Sequence, residues 1–161
     1  EHPVAIRVPV GATVSTSRTV PTDYSSLNKY EVVERGKDVA ILALGNFFSL
    51  GERVCRLLEA HGIRATLINP RYISGVDCDL LDSLATDHRF VVTLEDGALN
   101  GGFGEKIARH YGATGVKTLC YGAKKQFVDR YAPQEFLAAN RLVDTMIVED
   151  IMKHSQGKLE R

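Results

Sequence analysis

The sequence has no excess charge of either sign: its 161 residues carry 20 lysines and arginines against 20 aspartates and glutamates. Without a basic surplus there is no electrostatic case for nucleic-acid binding. No apolar run approaches the roughly 20 residues that span a bilayer, and no signal peptide is visible, so no membrane partner and a cytoplasmic location are expected. The three cysteines, Cys55, Cys78 and Cys120, lie far apart in no paired motif. They read as reduced thiols, two on helices and one on a strand. His2, His61, His88, His110 and His154 lack ligand spacing and read as surface or helix-end residues. No internal repeat, no G-x-x-x-x-G-K-[ST] motif and no Ser/His/Asp or Cys/His set is legible.

What is present centres on the stretch from Arg89 to Gly112. Phe90, Val91, Val92 and Leu94 form a short apolar run that suits a strand covered on both faces. Glu95, Asp96 and Asn100 gather where that strand is expected to end. Gly101, Gly102 and Gly104 permit a tight turn. Phe103, Ile107, Ala108 and Tyr111 then repeat at helical spacing, with Gly112 as the expected stop. In open α/β sheets, ligands and partners meet the chain at the carboxyl ends of strands. This turn is therefore the expected functional face.

In chain order, Val4–Pro9 reads as a strand, and Gly11–Asn28 has the Ser/Thr/Pro composition of a surface linker. A strand and linker in this position suggest a fragment of something larger. Tyr30–Glu34 reads as an edge strand. Asp38–Leu44 is the strongest strand, apolar on both faces and therefore central. Ser49-Leu-Gly-Glu52 has the capping-box pattern, and Leu50, Val54, Leu57 and Leu58 make one helical face that ends at Gly62. Ile63–Ile68 is the next strand, closed by Asn69-Pro70-Arg71. Asp77 is the expected N-cap of a helix that buries Leu80, Leu81 and Leu84. Val116–Tyr121 is a fourth core strand. Pro133 opens one helix and Asp144 caps the last, whose tail from Lys153 to Arg161 is expected to fray. Alternation with short connections predicts an α/β fold: a mostly parallel sheet flanked by helices and joined by right-handed crossovers.

The glycine turn fails the dinucleotide fingerprint, because counting from Gly102 and Gly104 the third glycine falls at Ile107. Two readings stand for it: an anion held at the helix N-terminus, or tight packing of turn against helix. Packing is the expectation. Glu95 and Asp96 are adjacent, so on a strand they point to opposite faces and form no dyad. A structural or partner-facing role, such as capping or holding Arg71, is expected of them. Arg71 suits a substrate phosphate, a partner carboxylate or plain solvent. Lys124 and Lys125 read as solvated.

Taken together, Asp38-Val-Ala-Ile-Leu-Ala-Leu-Gly, Thr66-Leu-Ile-Asn-Pro-Arg-Tyr-Ile-Ser-Gly-Val-Asp, Val92-Thr-Leu-Glu-Asp-Gly with Gly101-Gly-Phe-Gly, Tyr121-Gly-Ala-Lys-Lys and Ile147-Val-Glu-Asp-Ile resemble a known family. They look like the C-terminal domain of the 1-deoxy-D-xylulose-5-phosphate synthases, which are transketolase-like, thiamine-diphosphate-dependent enzymes. Val4-Ala-Ile-Arg-Val-Pro resembles the last strand of that family's pyrimidine-binding domain. The resemblance implies a three-layer transketolase C-terminal fold over residues 31–155. Residues 1–30 would then be the end of the preceding domain plus linker, and 156–161 a frayed tail.

For the parent, the resemblance implies condensation of pyruvate with glyceraldehyde 3-phosphate. The product feeds isoprenoid, thiamine and pyridoxal synthesis. Thiamine diphosphate and Mg2+ carry the chemistry, in a homodimer. The family's Gly-Asp-Gly motif and its activating glutamate are missing here, so no catalytic, cofactor or metal residue is expected in this chain. It is expected to be an inactive scaffold and dimerisation module. Arg7, Arg71, Glu95, Asp96, Asn100, Gly101 and Gly102 are the candidates for substrate or interface contacts. Where many family members have Pro-Arg-Gly, with the arginine on the substrate phosphate, this chain has Pro9-Val10-Gly11. Either Arg7 or another arginine compensates, or the acceptor differs. Two alternatives stand. One is another enzyme of the superfamily, a transketolase or the β-chain of a 2-oxo acid dehydrogenase. The other is a free-standing flavodoxin-like binding domain.

Overall fold

A computed structural model describes residues 25–129 and 132–156, together with residues 3, 22 and 23. The expected strand Val4–Pro9, with Arg7, most of the expected linker and the tail beyond residue 156 lie outside the described residues.

Among the described residues the chain forms β1 (Glu31–Glu34), β2 (Asp38–Ala43), α1 (Phe48–Ala60), β3 (Thr66–Asn69) and α2 (Cys78–Leu84). There follow β4 (His88–Ala98), α3 (Phe103–Tyr111), β5 (Lys117–Ala123), α4 (Pro133–Ala139) and α5 (Asp144–Gln156). The sheet order is β1-β3-β2-β4-β5. β2 pairs in parallel with β3 and β4, β4 pairs in parallel with β5, and β1 runs antiparallel on the edge beside β3. The expected central place of Asp38–Leu44 and the edge place of the first described strand both hold.

Strand alternation builds three layers. Val39, Ile41, Ala43, Phe90, Val92 and Leu94 face α1 and α5, where Leu50, Val54, Leu58, Ile147 and Ile151 meet them. Ala40, Leu42, Ile68 and Val91 face the opposite way, onto Leu81, Leu84, Phe103, Ile107 and Tyr111 of α2 and α3. Each face of β2 is thus covered, which is why its sequence is apolar throughout.

Helix ends differ in how well their sequence signals hold. Asp77 is the N-cap of α2, as expected, and accepts from the Leu80 N–H. It also accepts from the Tyr30 N–H at 3.0 Å and from Lys29 Nζ at 3.0 Å, so one carboxylate ties α2 to the start of β1. Burial pushes its carboxyl up, but the Tyr30 amide, the Lys29 ammonium and the Leu80 amide together hold it below the usual range. Asp150 on α5 behaves alike: burial opposes ionisation, while the Arg141 guanidinium and the Tyr121 hydroxyl hold its carboxyl low. A carboxyl lowered in the folded state contributes stability above its unfolded pKa and loses it as pH falls through the folded value. The urea midpoint is therefore expected to stay level from neutral pH to about 5 and to fall below about 4. Asp77→Asn with Asp150→Asn should flatten that fall; an unchanged acid slope would contradict the assignment. Asp77→Ala should cost roughly 2–4 kcal/mol, from the lost cap and an orphaned Tyr30 N–H.

Four local expectations need correction. The box at Ser49–Glu52 does not cap α1. The chain leaves the sheet at Leu44, whose N–H is held by Leu94 O, and coils at once through a 3₁₀ turn over Gly45–Phe47. Helical backbone therefore begins before Ser49. Gly112 closes α3 at φ −56°, so it is not a left-handed stop. His88 is buried, with one ring nitrogen 2.7 Å from Thr66 Oγ1 and the other beside Asp87 and Leu84 O. Lys153 and His154 belong to α5, which runs on to Gln156. The cysteines fall on two helices and a strand and are free. Burial raises the Cys55 thiol to about 12.

Candidate functional site

β2 leads by α1 to β3 on one side, whereas β4 leads by α3 to β5 on the other. The direction of winding thus reverses between β2 and β4, and their carboxyl ends form the switch point where open sheets hold ligands. Asn46, just after β2, and Asp96, near the end of β4, meet there: Asn46 Nδ2 donates to Asp96 Oδ2 at 3.3 Å.

β4 is longer than its apolar run suggests, because it continues to Ala98. Leu94 pairs with Tyr121 and Ala98 with Ala123, so Glu95, Asp96 and Gly97 stand opposite Gly122 alone. This bulge aims its side chains away from the ladder. Glu95 follows Val91 and Thr93 at period two, so its carboxylate turns toward α3, while Asp96 turns to the exposed α1 side.

Glu95 is 2 % exposed, and both its oxygens are engaged. Oε2 accepts from the Phe103 N–H at 2.7 Å, and Oε1 accepts from the Gly104 N–H at 2.9 Å. Two of the unsatisfied amides at the start of α3 are thereby satisfied by an internal anion that complements the helix dipole. The remaining amides of the turn are also used: the Gly101 N–H donates to Glu105 Oε2 at 2.9 Å, and the Gly102 N–H to Leu99 O at 3.0 Å. The anion reading of the glycine turn therefore gives way to the packing reading. A diphosphate does not fit this turn, because the carboxylates of Glu95 and Glu105 already take its donors.

The glycines are required by this carboxylate and its neighbours. A Cβ on Gly102 would overlap Glu95 Oε2 and stand 2.5 Å from Ala98 O. One on Gly104 would lie 2.7 Å from Thr93 Oγ1 and 2.9 Å from Cys120 Cβ, forcing α3 off β5. One on Gly122 would lie 2.9 Å from Glu95 Cγ. Gly101 has open space around it but needs its φ of +74°.

Of the residues expected at the site, Glu95, Gly101 and Gly102 come together, and Asp96 and Asn100 lie exposed on the rim. Arg71 does not join them. It sits after β3 with its guanidinium 5.6 Å from the Tyr72 ring centroid and 3.4 Å from Asp23 O. Reading the sequence missed a second cluster, in which Arg141 grips both oxygens of Asp150 at 2.9 and 2.7 Å and Tyr121 donates to the same carboxylate at 3.0 Å. No local signal marks it, because Tyr121 lies 29 residues before Asp150 and Arg141 nine, spacings that no helix or strand period brings together. Among the described residues no group of three or more His, Cys, Asp or Glu side chains is placed to hold a metal, and no helix is long and apolar enough to cross a membrane.

This fold and this sequence match the family described as transketolase, C-terminal domain, over residues 28–152. The chain belongs to that family. As a transketolase C-terminal domain it is 32% identical, over 159 residues, to a 1-deoxy-D-xylulose-5-phosphate synthase of Gloeothece citriformis. That match covers 95% of this chain and 25% of the relative. It is 34% identical over 167 residues to a synthase of the same name from Methylibium petroleiphilum, covering 99% of this chain and 26% of that protein. The chain thus spans about a quarter of the length of these curated relatives. Among solved structures it is similar to a split gene transketolase described as an inactive β4 tetramer. The TM-score is 0.72 at 27% identity, over 80% of this chain and 42% of that one.

Proposed function

We propose that this chain is the C-terminal structural and dimerisation domain of a thiamine-diphosphate- and Mg2+-dependent transferase. That enzyme condenses pyruvate with glyceraldehyde 3-phosphate to 1-deoxy-D-xylulose 5-phosphate, in the cytoplasm and as a homodimer. The observation that carries this reading is identity of 32–34% along nearly the whole chain to proteins of that name. In this reading residues 1–30 finish the pyrimidine-binding domain and its linker, residues 31–155 form the C-terminal domain, and 156–161 trail from it. Asp96, Asn100 and Gly101, exposed on the rim, face the substrate domain or a partner chain, with Arg7 and Arg71 as the candidate phosphate contacts. Glu95 and Gly102 support that rim from within.

The chain supplies structure, and the chemistry belongs to the cofactor held by the rest of the enzyme. The inactive β4 assembly of the split gene transketolase supports this division. That same structure favours a second reading, in which the parent is a transketolase. Both are tested together. Given pyruvate, glyceraldehyde 3-phosphate, thiamine diphosphate and Mg2+, the chain alone is expected to release no CO2. Joined to the rest of its parent polypeptide, it should release CO2 and form the deoxy sugar phosphate. Turnover by the chain alone would contradict the proposal, and exchange between ketose and aldose phosphates without CO2 release would select the transketolase.

A further inference from the structure

At the opposite pole from the switch point, the amino ends of β2 and β4 frame an open cleft of about 640 Å3. Its walls include Arg35, Lys37, Arg64 and Arg89, with Asp38 and Asp87 as the acidic members. The charges are not matched in pairs. Arg89 Nε donates to Asp38 Oδ1 at 3.0 Å, and Asp87 lies 2.6 Å from His88 Nδ1. Among the described residues, Arg35, Lys37 and Arg64 make no ion pair or hydrogen bond through their side chains. Three like charges are therefore left together in a chain whose net charge is zero.

The backbone holds them there. A Cβ on Gly36 would overlap Arg64 O, so the β1–β2 turn lies directly on the segment just before β3 that carries Arg64. The Lys37 N–H donates to Arg64 O at 2.9 Å, and the Gly36 N–H donates to Thr66 Oγ1 at 2.9 Å. Asp38 adopts φ +65°, a conformation unfavourable for a side chain with a Cβ, and its carboxylate turns to Arg89. A strained turn is pinned so that three cations without an ion-pair partner among the described residues line one cleft, in which Asp38 and Asp87 are the only carboxylates against four cationic side chains. Such an arrangement is stabilised by a ligand with several negative charges.

We propose that the cleft of Arg35, Lys37 and Arg64 binds a small diphosphate-bearing anion. Guanidinium groups meet phosphate oxygens in pairs, and the lysine adds a point charge. A single carboxylate would leave two of the three cations uncompensated. The volume suits a small molecule. This pole lies across the sheet from the Glu95 turn, at the amino ends of β2 and β4.

The test is titration of inorganic pyrophosphate into the full chain, followed by amide NMR shifts and calorimetry. Saturable binding is expected, with shifts at Gly36, Lys37, Gly62 and Arg64. Affinity should fall steeply between roughly 50 and 200 mM salt. Arg35→Gln and Arg64→Gln should each weaken binding about tenfold, the equivalent of one lost charge-assisted hydrogen bond. Both positions are exposed, so the thermal midpoint is expected to stay unchanged and to report that the variants fold. Lys124→Gln with Lys125→Gln, beyond the far end of β5, should leave binding unchanged. A parallel titration with a nucleoside diphosphate separates the sources: tighter binding than pyrophosphate assigns a nucleotide, and equal binding assigns the diphosphate group alone. No saturation with pyrophosphate, or equal loss in the Lys124/Lys125 variant, would overturn the proposal.

Discussion

Glu95→Ala should destabilise the domain by roughly 3–5 kcal/mol, because the Phe103 and Gly104 amides lose a buried charged acceptor and nothing replaces it. At about 2–4 °C per kcal/mol for a chain of this size, the thermal midpoint should drop by roughly 10–15 °C. Glu95→Gln keeps one acceptor oxygen but turns an amide NH2 toward an N–H donor, so an intermediate loss is expected. Asp96→Ala, one residue along and exposed, should stay within about 0.5 kcal/mol. This contrast between neighbours separates two views of the glycine turn. A carboxylate kept for chemistry is commonly a strained group whose removal leaves stability unchanged or improved. A carboxylate that fills a helix end is one whose removal unfolds it. Calorimetric melting of the three variants decides between them.

Gly102→Ala should be nearly as damaging, at roughly 2–4 kcal/mol, because its Cβ enters the space of the Glu95 carboxylate and of Ala98 O. The two positions should also couple. With Glu95 already truncated, the added methyl meets one obstacle fewer, so the double variant should be more stable than the sum of the single losses predicts, by about 1 kcal/mol. Gly101→Ala, at a position with open space and positive φ, should cost only about 1–2 kcal/mol. Strict additivity of Glu95→Ala and Gly102→Ala would show that the carboxylate does not occupy the space that the glycine leaves.

Much of this arrangement is legible in the sequence. Asp38–Leu44 and Phe90–Leu94 read as buried strands because each is covered on both faces, and the two-sided core confirms why. Asp77 reads as a cap because a carboxylate before an apolar helical repeat has few other uses. The opposite facing of Glu95 and Asp96 follows from the period of a strand. What the sequence leaves hidden depends on partners distant along the chain. The extension of β4 to Ala98 exists because Ala123 offers a pairing position beyond a bulge. The donors of the glycine turn look free in sequence, and only the fold brings Glu95 back eight residues to fill them. His88 is buried because Thr66, on another strand, meets its ring. The link from Tyr121 to Asp150 needs β5 and α5 to be neighbours, and no local pattern states that.

The most direct test of the account is a titration of Mg2+ and thiamine diphosphate into the chain, read amide by amide in NMR spectra. The central claim is that Glu95 and Glu105 already occupy the donors of the glycine turn, so the turn holds no diphosphate. The amides of Gly101, Gly102, Phe103 and Gly104 should stay in place through millimolar cofactor, while any response of the diphosphate falls at Gly36 and Arg64. Saturable shifts of the Gly101–Gly104 amides would contradict the account and make the turn a diphosphate site.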